Sequence, residues 1–167
     1  MFFCGFDTPF GPGCLVEDES MLHRVFLPSS HATATERMYT AYPDAAYRSG
    51  RFTDCLAAKL SALSNGAYSE IKTDVLFFGN TTPFALKVLS ALSTIPRGQT
   101  VSYGQLAEKA GFPLAARAAG NVLAANPFPL IIPCHRVVRS DGSPGCYQGG
   151  KPMKLFLLKE ENDSAVS

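Results

Sequence analysis

The chain contains 167 residues, of which 46% are hydrophobic and 17% are charged, a balance typical of globular domains and unlike that of disordered or fibrous chains. This length allows one large domain or two small ones. No apolar run approaches the roughly 18–20 residues that a membrane helix needs, so the sequence predicts no membrane segment.

The cysteines and the N-terminus favour a cytosolic location. The five cysteines are odd in number and irregular in spacing, which argues against a disulfide framework and for a reducing compartment. No basic segment precedes the early Pro9 and Pro12, so we expect no signal peptide.

The two halves of the chain differ in charge, although the whole carries only +1. Residues 1–80 hold six Lys and Arg against nine Asp and Glu, a net −3. Residues 81–167 hold nine against five, a net +4. The change of sign indicates two modules, of which the second would accept a polyanion more readily. We place the boundary after residue 79, which gives domains 1–79 and 80–167.

The first module is predicted to be α/β, with a small antiparallel sheet and helices. Short apolar stretches bounded by Gly and Pro predict strands at residues 2–6, 13–16 and 23–27. Apolar residues at helical spacing predict a helix that ends near Asn65 and Gly66. These residues are Phe52, Cys55, Leu56, Leu60 and Leu63. On this face we expect Cys55 to be buried, and residues 75–78 could add another strand.

The second module contains clear signals for helix starts. Thr82 is a suitable N-cap and Pro83 a suitable first helical residue, so a helix is predicted to begin there. Ser102 and Gln105 form a capping-box pattern, which predicts a short helix directly after Ser102.

A turn at residues 111–113 and a second predicted helix over residues 114–125 complete a helix-turn-helix pattern. The second helix consists mostly of Ala and Gly, with one long cation, Arg117. Small side chains allow close approach either to a neighbouring helix or to a narrow groove of DNA, with Arg117 inserted into the base stack. Composition alone leaves both interpretations open.

The adjacent pair Cys134 and His135 is the strongest chemical signal. It follows an apolar run at residues 130–132 and Pro133. A free thiol has a pKa of about 8.5 and needs help to ionise, which a nearby imidazole can supply. The alternative for an arbitrary Cys-His pair is a buried structural cysteine beside a surface histidine. Metal binding is a weaker hypothesis, because adjacent residues are not a chelate spacing.

Five segments of the second half stand out as a set. In chain order they are IPRGQTVSY (95–103), AARAAG (115–120), NPFPLIIPCHRVV (126–138), YQGG (147–150) and LLKEE (157–161). Together they resemble the O6-alkylguanine-DNA alkyltransferases, the methylated-DNA–protein-cysteine methyltransferase family, and the Pro-Cys-His-Arg segment is highly specific. The first half resembles this family only through residues 8–11 and the neighbouring strand pattern.

The resemblance implies that the protein removes an alkyl group from the O6 atom of guanine. Cys134 would be the nucleophile, and His135 would accept the thiol proton through a water molecule, with Glu161 orienting the imidazole. Asn126 would tie the recognition helix to the active-site segment. The resulting thioether would be permanent, so each protein molecule would act once.

The resemblance also implies minor-groove DNA binding and rotation of the damaged base out of the duplex. Arg117 would fill the vacated space, Tyr103 would help to rotate the nucleotide, and the small Ala116 and Gly120 would permit close approach. The guanine pocket would be lined by Tyr103, Val137, Tyr147 and Gln148.

At the level of the fold, the resemblance implies an RNase H-like first domain and a mainly helical, winged-helix-like second domain. The expected partner is double-stranded DNA containing O6-alkylguanine, and the protein is expected to be a monomer with no membrane association, cofactor or metal. Four residues of the first half could instead bind a structural zinc, which some relatives carry in that half. Their spacing, however, contains no short chelate loop. These residues are Cys4, Cys14, His23 and His31.

Three positions depart from the family pattern and bear on the range of substrates: Arg139, Cys146 and Gln148. Cys146 is either a tolerated small residue on the pocket loop or the partner of Cys134 in a redox-sensitive disulfide.

Two other functions stay open. A lesion-recognition protein would flip the base without transfer and would lack the cysteine, and a cysteine hydrolase would need an oxyanion or substrate motif beside the Cys-His pair.

Overall fold

The computed structural model describes residues 1–18 and 20–165. Its contacts divide the chain into two compact units, residues 1–77 and the chain from Phe78 onward. The sequence prediction placed the domain boundary after residue 79. Within the described ranges, no helix combines the length and the apolar character needed to cross a membrane.

The first unit is built on a four-stranded sheet. Its strands are β1 (Phe2–Thr8), β2 (Gly11–Glu17), β3 (Leu22–Phe26) and β4 (Ala46–Tyr47), in the order β3-β2-β1-β4. β1 and β3 pair antiparallel to β2, but β4 pairs parallel to β1. The predicted antiparallel sheet is therefore corrected to a mixed one. The reason is that the chain crosses over through a helix, α1 (Ala34–Ala41), before β4 begins.

Two helices bury the apolar residues of this sheet. α1 packs on β2 and β3, and their shared core contains Cys14, Val16, Phe26, Ala34, Met38 and Ala45. α2 (Arg51–Ser64) packs on β1. The buried stripe of α2 runs through Thr53, Leu56, Leu60 and Ser64. Cys55 lies beside this stripe and is exposed, so the prediction that it is buried was wrong.

The segment after α2 does not form the strand predicted at residues 75–78. Thr73–Val75 forms a short 3-10 turn. Leu76 then makes an isolated bridge to Leu22 of β3, and the N–H of Phe77 donates to the Leu22 carbonyl at 2.9 Å. The apolar run is therefore used for one local contact, because the turn before it leaves too few residues in extended conformation for a strand.

The second unit is mainly helical. Its elements are α3 (Pro83–Ser93), β5 (Val101–Ser102), α4 (Tyr103–Lys109), α5 (Ala116–Ala124), β6 (Val137–Val138) and α6 (Gly150–Ala165). Thr82 caps α3 by accepting from the N–H of Ala85 at 3.2 Å, with Pro83 as the first helical residue. Ser102 and Gln105 form the capping box at the start of α4. Both predicted helix starts are confirmed.

The helix pair α4–α5 and the small sheet β5–β6 place the site. Gly111 turns the chain between the helices in the left-handed conformation, with φ +85°. α5 begins at Ala116, later than the predicted residue 114, because Leu114 also has a left-handed backbone, with φ +72°. β5 and β6 run parallel, with Val101 opposite Val137. This pairing brings the start of α4 beside the end of β6, the strand that directly follows the Cys134–Arg136 turn.

Candidate active site

A cavity of about 180 Å³ opens between α4, α5 and the loop before α6. It is lined by Tyr103, Gly120, Leu123, Ala124, Cys134, Cys146, Tyr147 and Gln148. The side chain of Cys134 is buried, with 4% of the residue exposed. Its position at the cavity wall means that a reagent reaches the thiol through this cavity.

Asn126 fixes the loop that presents Cys134. Its side-chain amide donates to the carbonyl of Ile132 at 3.0 Å, and its amide oxygen accepts the N–H of Phe128 at 3.0 Å. The N–H of Cys134 donates to the same Ile132 carbonyl at 2.8 Å. Leu130, in this loop, holds a left-handed backbone with φ +75°, a conformation that is uncommon for a branched residue. The fully buried Asn126 therefore ties the end of α5 to the thiol.

The thiol of Cys134 is protonated at rest. Burial raises the pKa of the Cys134 thiol, and the side-chain amide of Asn126 and the charge of Lys154 act against burial without cancelling it. A thiolate is the nucleophilic form of cysteine. The site therefore needs a base that removes the proton as the reaction proceeds.

His135 is placed to be that base. Its Nε2–H donates to Oε1 of Glu161 at 2.9 Å, because an ionised carboxylate can only accept. Burial lowers the pKa of His135, and the hydrogen bond to Glu161 opposes this shift in part. The imidazole is therefore neutral near pH 7, with its proton on Nε2. Its Nδ1 is buried and has no hydrogen-bond partner among the described residues, which leaves a lone pair able to accept a proton.

Glu161 keeps its charge because it is held by a set of donors. Arg136 donates through Nη2 to Oε1 at 2.7 Å and through Nε to Oε2 at 2.8 Å. The N–H of Gly98 donates to Oε2 at 3.4 Å, and Arg97 Nη1 lies 3.9 Å from Oε1. Burial alone would raise the pKa of the Glu161 carboxyl, but the hydrogen bonds from His135 and Arg136 outweigh it and hold the pKa at about 2.

Sequence reasoning assigned no role to Lys154, a fully buried cation behind the site. Its Nζ donates to the carbonyl of Val137 at 2.6 Å. Burial lowers the pKa of Lys154, and negative charge on the cavity thiols opposes this. A signal was present in α6, because Lys154, Leu157 and Glu161 follow one another at helical spacing on the buried face.

Tyr103 crosses the cavity between two glycines. Its ring lies 3.6 Å from the position that a Cβ on Gly120 of α5 would take. A Cβ on Gly145 would come within 2.8 Å of the Tyr103 hydroxyl oxygen, and Gly145 has a left-handed backbone with φ +64°. Burial raises the pKa of Tyr103, so its hydroxyl is protonated and can donate a hydrogen bond into the cavity.

The remaining predicted residues of α5 face outward. Arg117 is exposed and Ala116 is half-buried in the first turn of the helix. Gly120, Leu123 and Ala124 line the cavity further along the same helix. α5 therefore presents an exposed N-terminal end and a cavity-facing C-terminal end.

Of the other predicted pocket residues, Tyr147 lines the cavity, whereas Val137 is not among the described residues that line it. The Tyr147 ring lies edge-on to His135, with 6.2 Å between ring centroids, and its hydroxyl is buried. Val137 is fully buried, and its carbonyl accepts the Lys154 hydrogen bond. The side chain of Tyr147 thus lies against the proposed base as well as the cavity.

The four candidate zinc ligands of the first unit do not form a site. Cys4 and Cys14 are free thiols buried in the sheet, and the His23 Nε2 is paired with Asp18 at 2.7 Å. In the described part of the chain, no group of three or more Cys, His, Asp or Glu side chains could hold a metal ion.

Comparison with known proteins identifies the family. Residues 83–163 match the family described as 6-O-methylguanine DNA methyltransferase, DNA binding domain. The methylated-DNA–protein-cysteine methyltransferase of Shigella flexneri is 36% identical over 166 residues, which cover 92% of this chain and 91% of that protein. The chain belongs to the methylated-DNA–protein-cysteine methyltransferase family.

Other members of this methyltransferase family match over different lengths. The Methanothermobacter thermautotrophicus protein is 46% identical over 100 residues, which cover 60% of this chain and 56% of that protein. The crystal structure of Mycobacterium tuberculosis OGT in complex with DNA superimposes with a TM-score of 0.81, at 31% identity, over 98% of this chain and 94% of that one. The likeness therefore extends over both units.

The three departures from the methyltransferase pattern have distinct environments. The Gln148 amide donates to the carbonyls of Asn126 at 2.7 Å and Ala124 at 3.2 Å, which are at the C-terminal end of α5. Cys146 is exposed and is a free thiol at the same cavity as Cys134. Arg139 is exposed, and its N–H closes a turn by donating to the carbonyl of Ser143 at 2.8 Å.

Proposed function

We propose that this protein repairs DNA by direct reversal, by moving an alkyl group from the O6 atom of guanine to the Sγ atom of its own Cys134. The observation that carries the proposal is a buried thiol at the wall of a cavity, followed directly by a neutral histidine whose Nδ1, which has no hydrogen-bond partner among the described residues, can accept a proton. Family membership supports the same reaction.

The transfer is a single displacement. The Cys134 proton passes through a water molecule to Nδ1 of His135, and the sulfur attacks the alkyl carbon. The bond between that carbon and O6 breaks, its electron pair stays on the base, and the base takes up a proton to become guanine. Glu161 and Arg136 stabilise the imidazolium that forms. The product is a thioether without a leaving group, so Cys134 is not regenerated.

The O6 atom lies inside the duplex, so the base must be rotated out before the thiol can reach it. We assign the space that it vacates to Arg117, which is exposed in the first turn of α5. Ala116 and Gly120 are small enough for the helix to approach the minor groove closely. Tyr103 supports rotation of the nucleotide, and Tyr147 and Gln148 face the flipped guanine. Val137 and Asn126 hold the thiol segment in place.

We further propose that the first domain is RNase H-like and the second winged-helix-like. The protein would act as a cytosolic monomer that binds DNA through the minor groove. The division into domains 1–79 and 80–167 assigns DNA binding and transfer to the second.

Lesion recognition without transfer is the competing function. A recogniser needs the cavity and α5 but has no use for a nucleophile or a base. This chain contains Cys134, and it connects His135 to Glu161 by a 2.9 Å hydrogen bond. That connected arrangement favours transfer.

Intact-mass measurement distinguishes the two functions. After mixing with a duplex that contains one O6-methylguanine, the protein should gain the mass of one CH₂ unit, because a methyl group replaces the thiol hydrogen. Peptide mapping should place it at Cys134, and Cys134→Ser should gain nothing. The matched control Cys55→Ser, which changes another free thiol, should react fully. No mass gain with tight binding would establish recognition alone, and methylation elsewhere would overturn the assignment of Cys134.

A further inference from the structure

Leu114 combines two features that a folded protein normally avoids. Its side chain is fully exposed, at 102% of its reference accessibility. Its backbone is left-handed, with φ +72°, a region that branched residues rarely adopt. Exposure means that burial of the leucine among the described residues does not offset the cost of its conformation.

The neighbouring turn shows what an unstrained residue would be. Gly111, three positions earlier, also has a left-handed backbone, with φ +85°. Glycine adopts this conformation without a steric penalty. The chain therefore uses glycine at one left-handed position of the turn and a large apolar residue at the other. Strain of this kind is found most often at functional sites.

The position of Leu114 points to the surface that α5 presents. It directly precedes Ala115, the N-cap of α5, and lies three residues before the exposed Arg117. No acidic residue occurs between positions 109 and 140, whereas that segment contains the exposed cations Lys109, Arg117 and Arg139. Its fourth cation, Arg136, is paired with Glu161 within the site. An exposed apolar side chain among exposed cations suits a polyanion with apolar surface in its groove.

We infer that Leu114 is an apolar DNA contact, which packs against deoxyribose and base edges in the minor groove beside the space filled by Arg117. The inference rests on the proposed function, since it requires α5 to face DNA. Minor-groove proteins commonly combine cations with apolar side chains that press between or against base steps. Leu114 supplies the apolar contact and Arg117 the cation. The left-handed backbone holds the leucine outward before DNA is bound.

The inference predicts opposite changes in stability and DNA binding. Leu114→Gly relieves the backbone strain, so its thermal midpoint should equal or exceed that of the original protein. The same change removes the apolar contact, so the Kd for a methylated duplex should rise about five- to tenfold, as expected for partial burial of a leucine. A purely structural role for Leu114 would lower stability and binding together.

Salt dependence separates an apolar contact from a charged one. For Leu114→Gly, the slope of log Kd against log salt should stay unchanged, because no phosphate contact is lost. Leu114→Lys should steepen that slope by about one, because it adds a phosphate contact. The matched control Leu155→Ala, which truncates an exposed leucine of α6, should change neither Kd nor slope.

The binding measurements use the Cys134→Ser background, so they do not depend on transfer. Fluorescence anisotropy with duplexes of equal sequence, with and without O6-methylguanine, gives each Kd. Reaction rates are measured in proteins that retain Cys134. There, the original protein and Leu114→Gly should react with free O6-benzylguanine at the same rate, since a free base needs no groove contact. An unchanged duplex Kd for Leu114→Gly, or an equal loss with the free base, would overturn the inference. If the original protein transferred no methyl group, the proposed function would be rejected. The duplex Kd values with Leu114 and with Leu114→Gly would then still show whether Leu114 contacts DNA.

Discussion

The proposed proton acceptor of this site, His135, depends on one carboxylate. Glu161 orients His135 through a 2.9 Å hydrogen bond while Arg136 balances its charge. Because the positive charge of Arg136 already compensates Glu161, the imidazole can stay neutral until the thiol proton arrives. The carboxylate then faces two cations, and its negative charge stabilises the state that the reaction creates.

Replacing Glu161 by glutamine tests this role. Glu161→Gln keeps the shape but removes the charge, which leaves the half-buried Arg136 without its carboxylate and disfavours protonation of His135. We expect the rate of reaction with free O6-benzylguanine to fall about 100-fold, with a lower thermal midpoint. The control Glu108→Gln, at an exposed position of α4, should retain the rate. A Glu161→Gln protein that reacts at the original rate would show that His135 needs no anionic partner.

At the scale of elements, the cavity wall is joined to the C-terminal end of α5. Gln148 donates to two carbonyls that α5 leaves without helical partners at its C-terminal end. One of them belongs to Asn126, whose own side chain holds the Ile132 carbonyl and so the thiol segment. A continuous set of hydrogen bonds therefore joins the pocket loop, α5 and the loop of Cys134.

Gln148→Ala should loosen the pocket loop without removing any reacting group. We expect the apparent Kd for free O6-benzylguanine to rise several-fold while the limiting rate of alkyl transfer stays near its original value. The free energy of unfolding should fall by about 1 kcal/mol, as is typical for a lost hydrogen bond. Saturation kinetics separates the two constants, and Gln99→Ala at an exposed position provides the control. A fall in the limiting rate alone would place Gln148 nearer the chemistry.

Sequence predicts those elements whose signals are local. The Thr82 cap and the Ser102–Gln105 capping box are correct because each depends on hydrogen bonds within one turn. The burial of Cys55 was wrong because the face of α2 that is buried is chosen by the sheet, which helical spacing does not reveal. The start of α5 was wrong because Leu114 carries no sequence signal for its left-handed backbone.

In the site, too, sequence predicts local features better than contacts between distant segments. Cys134, His135 and Glu161 could be named from the resemblance, since family segments give their order along the chain. The buried Lys154 and the Gln148 contacts could not, because each joins elements that are distant in sequence. For the same reason, the sequence could not show that Gly145 lies against Tyr103.

At the scale of the whole molecule, acid should unfold this protein partly through its active site. The pKa of Glu161 is about 2 in the fold, below the value of about 4.3 for an unfolded chain. A lowered pKa means that Glu161 stabilises the fold above about pH 4.3, and that this contribution is lost as the pH falls towards 2. His135, whose pKa is also lowered, adds a loss that begins below about pH 6.5.

Thermal midpoints measured between pH 7 and pH 3 check this expectation. The original protein should lose stability continuously through this range, and Glu161→Gln should show a smaller loss below pH 4.5. Asp18, whose pKa is also about 2 because of its hydrogen bond from His23, is present in both proteins, so the difference between the two curves belongs to Glu161 and to its interaction with His135. Parallel curves would mean that Glu161 does not contribute to acid unfolding.

The glycine at position 145 has a genetic consequence. A Cβ there would meet the Tyr103 hydroxyl at 2.8 Å on a left-handed backbone, whereas at Gly120 the corresponding distance of 3.6 Å is an ordinary contact. Every amino acid that one base change can produce from a glycine codon carries a Cβ. Missense mutation of codon 145 should therefore displace Tyr103 whichever base is changed, while codon 120 can drift to alanine. A protein proposed to repair DNA thus contains a codon at which every change of amino acid should disturb its own cavity.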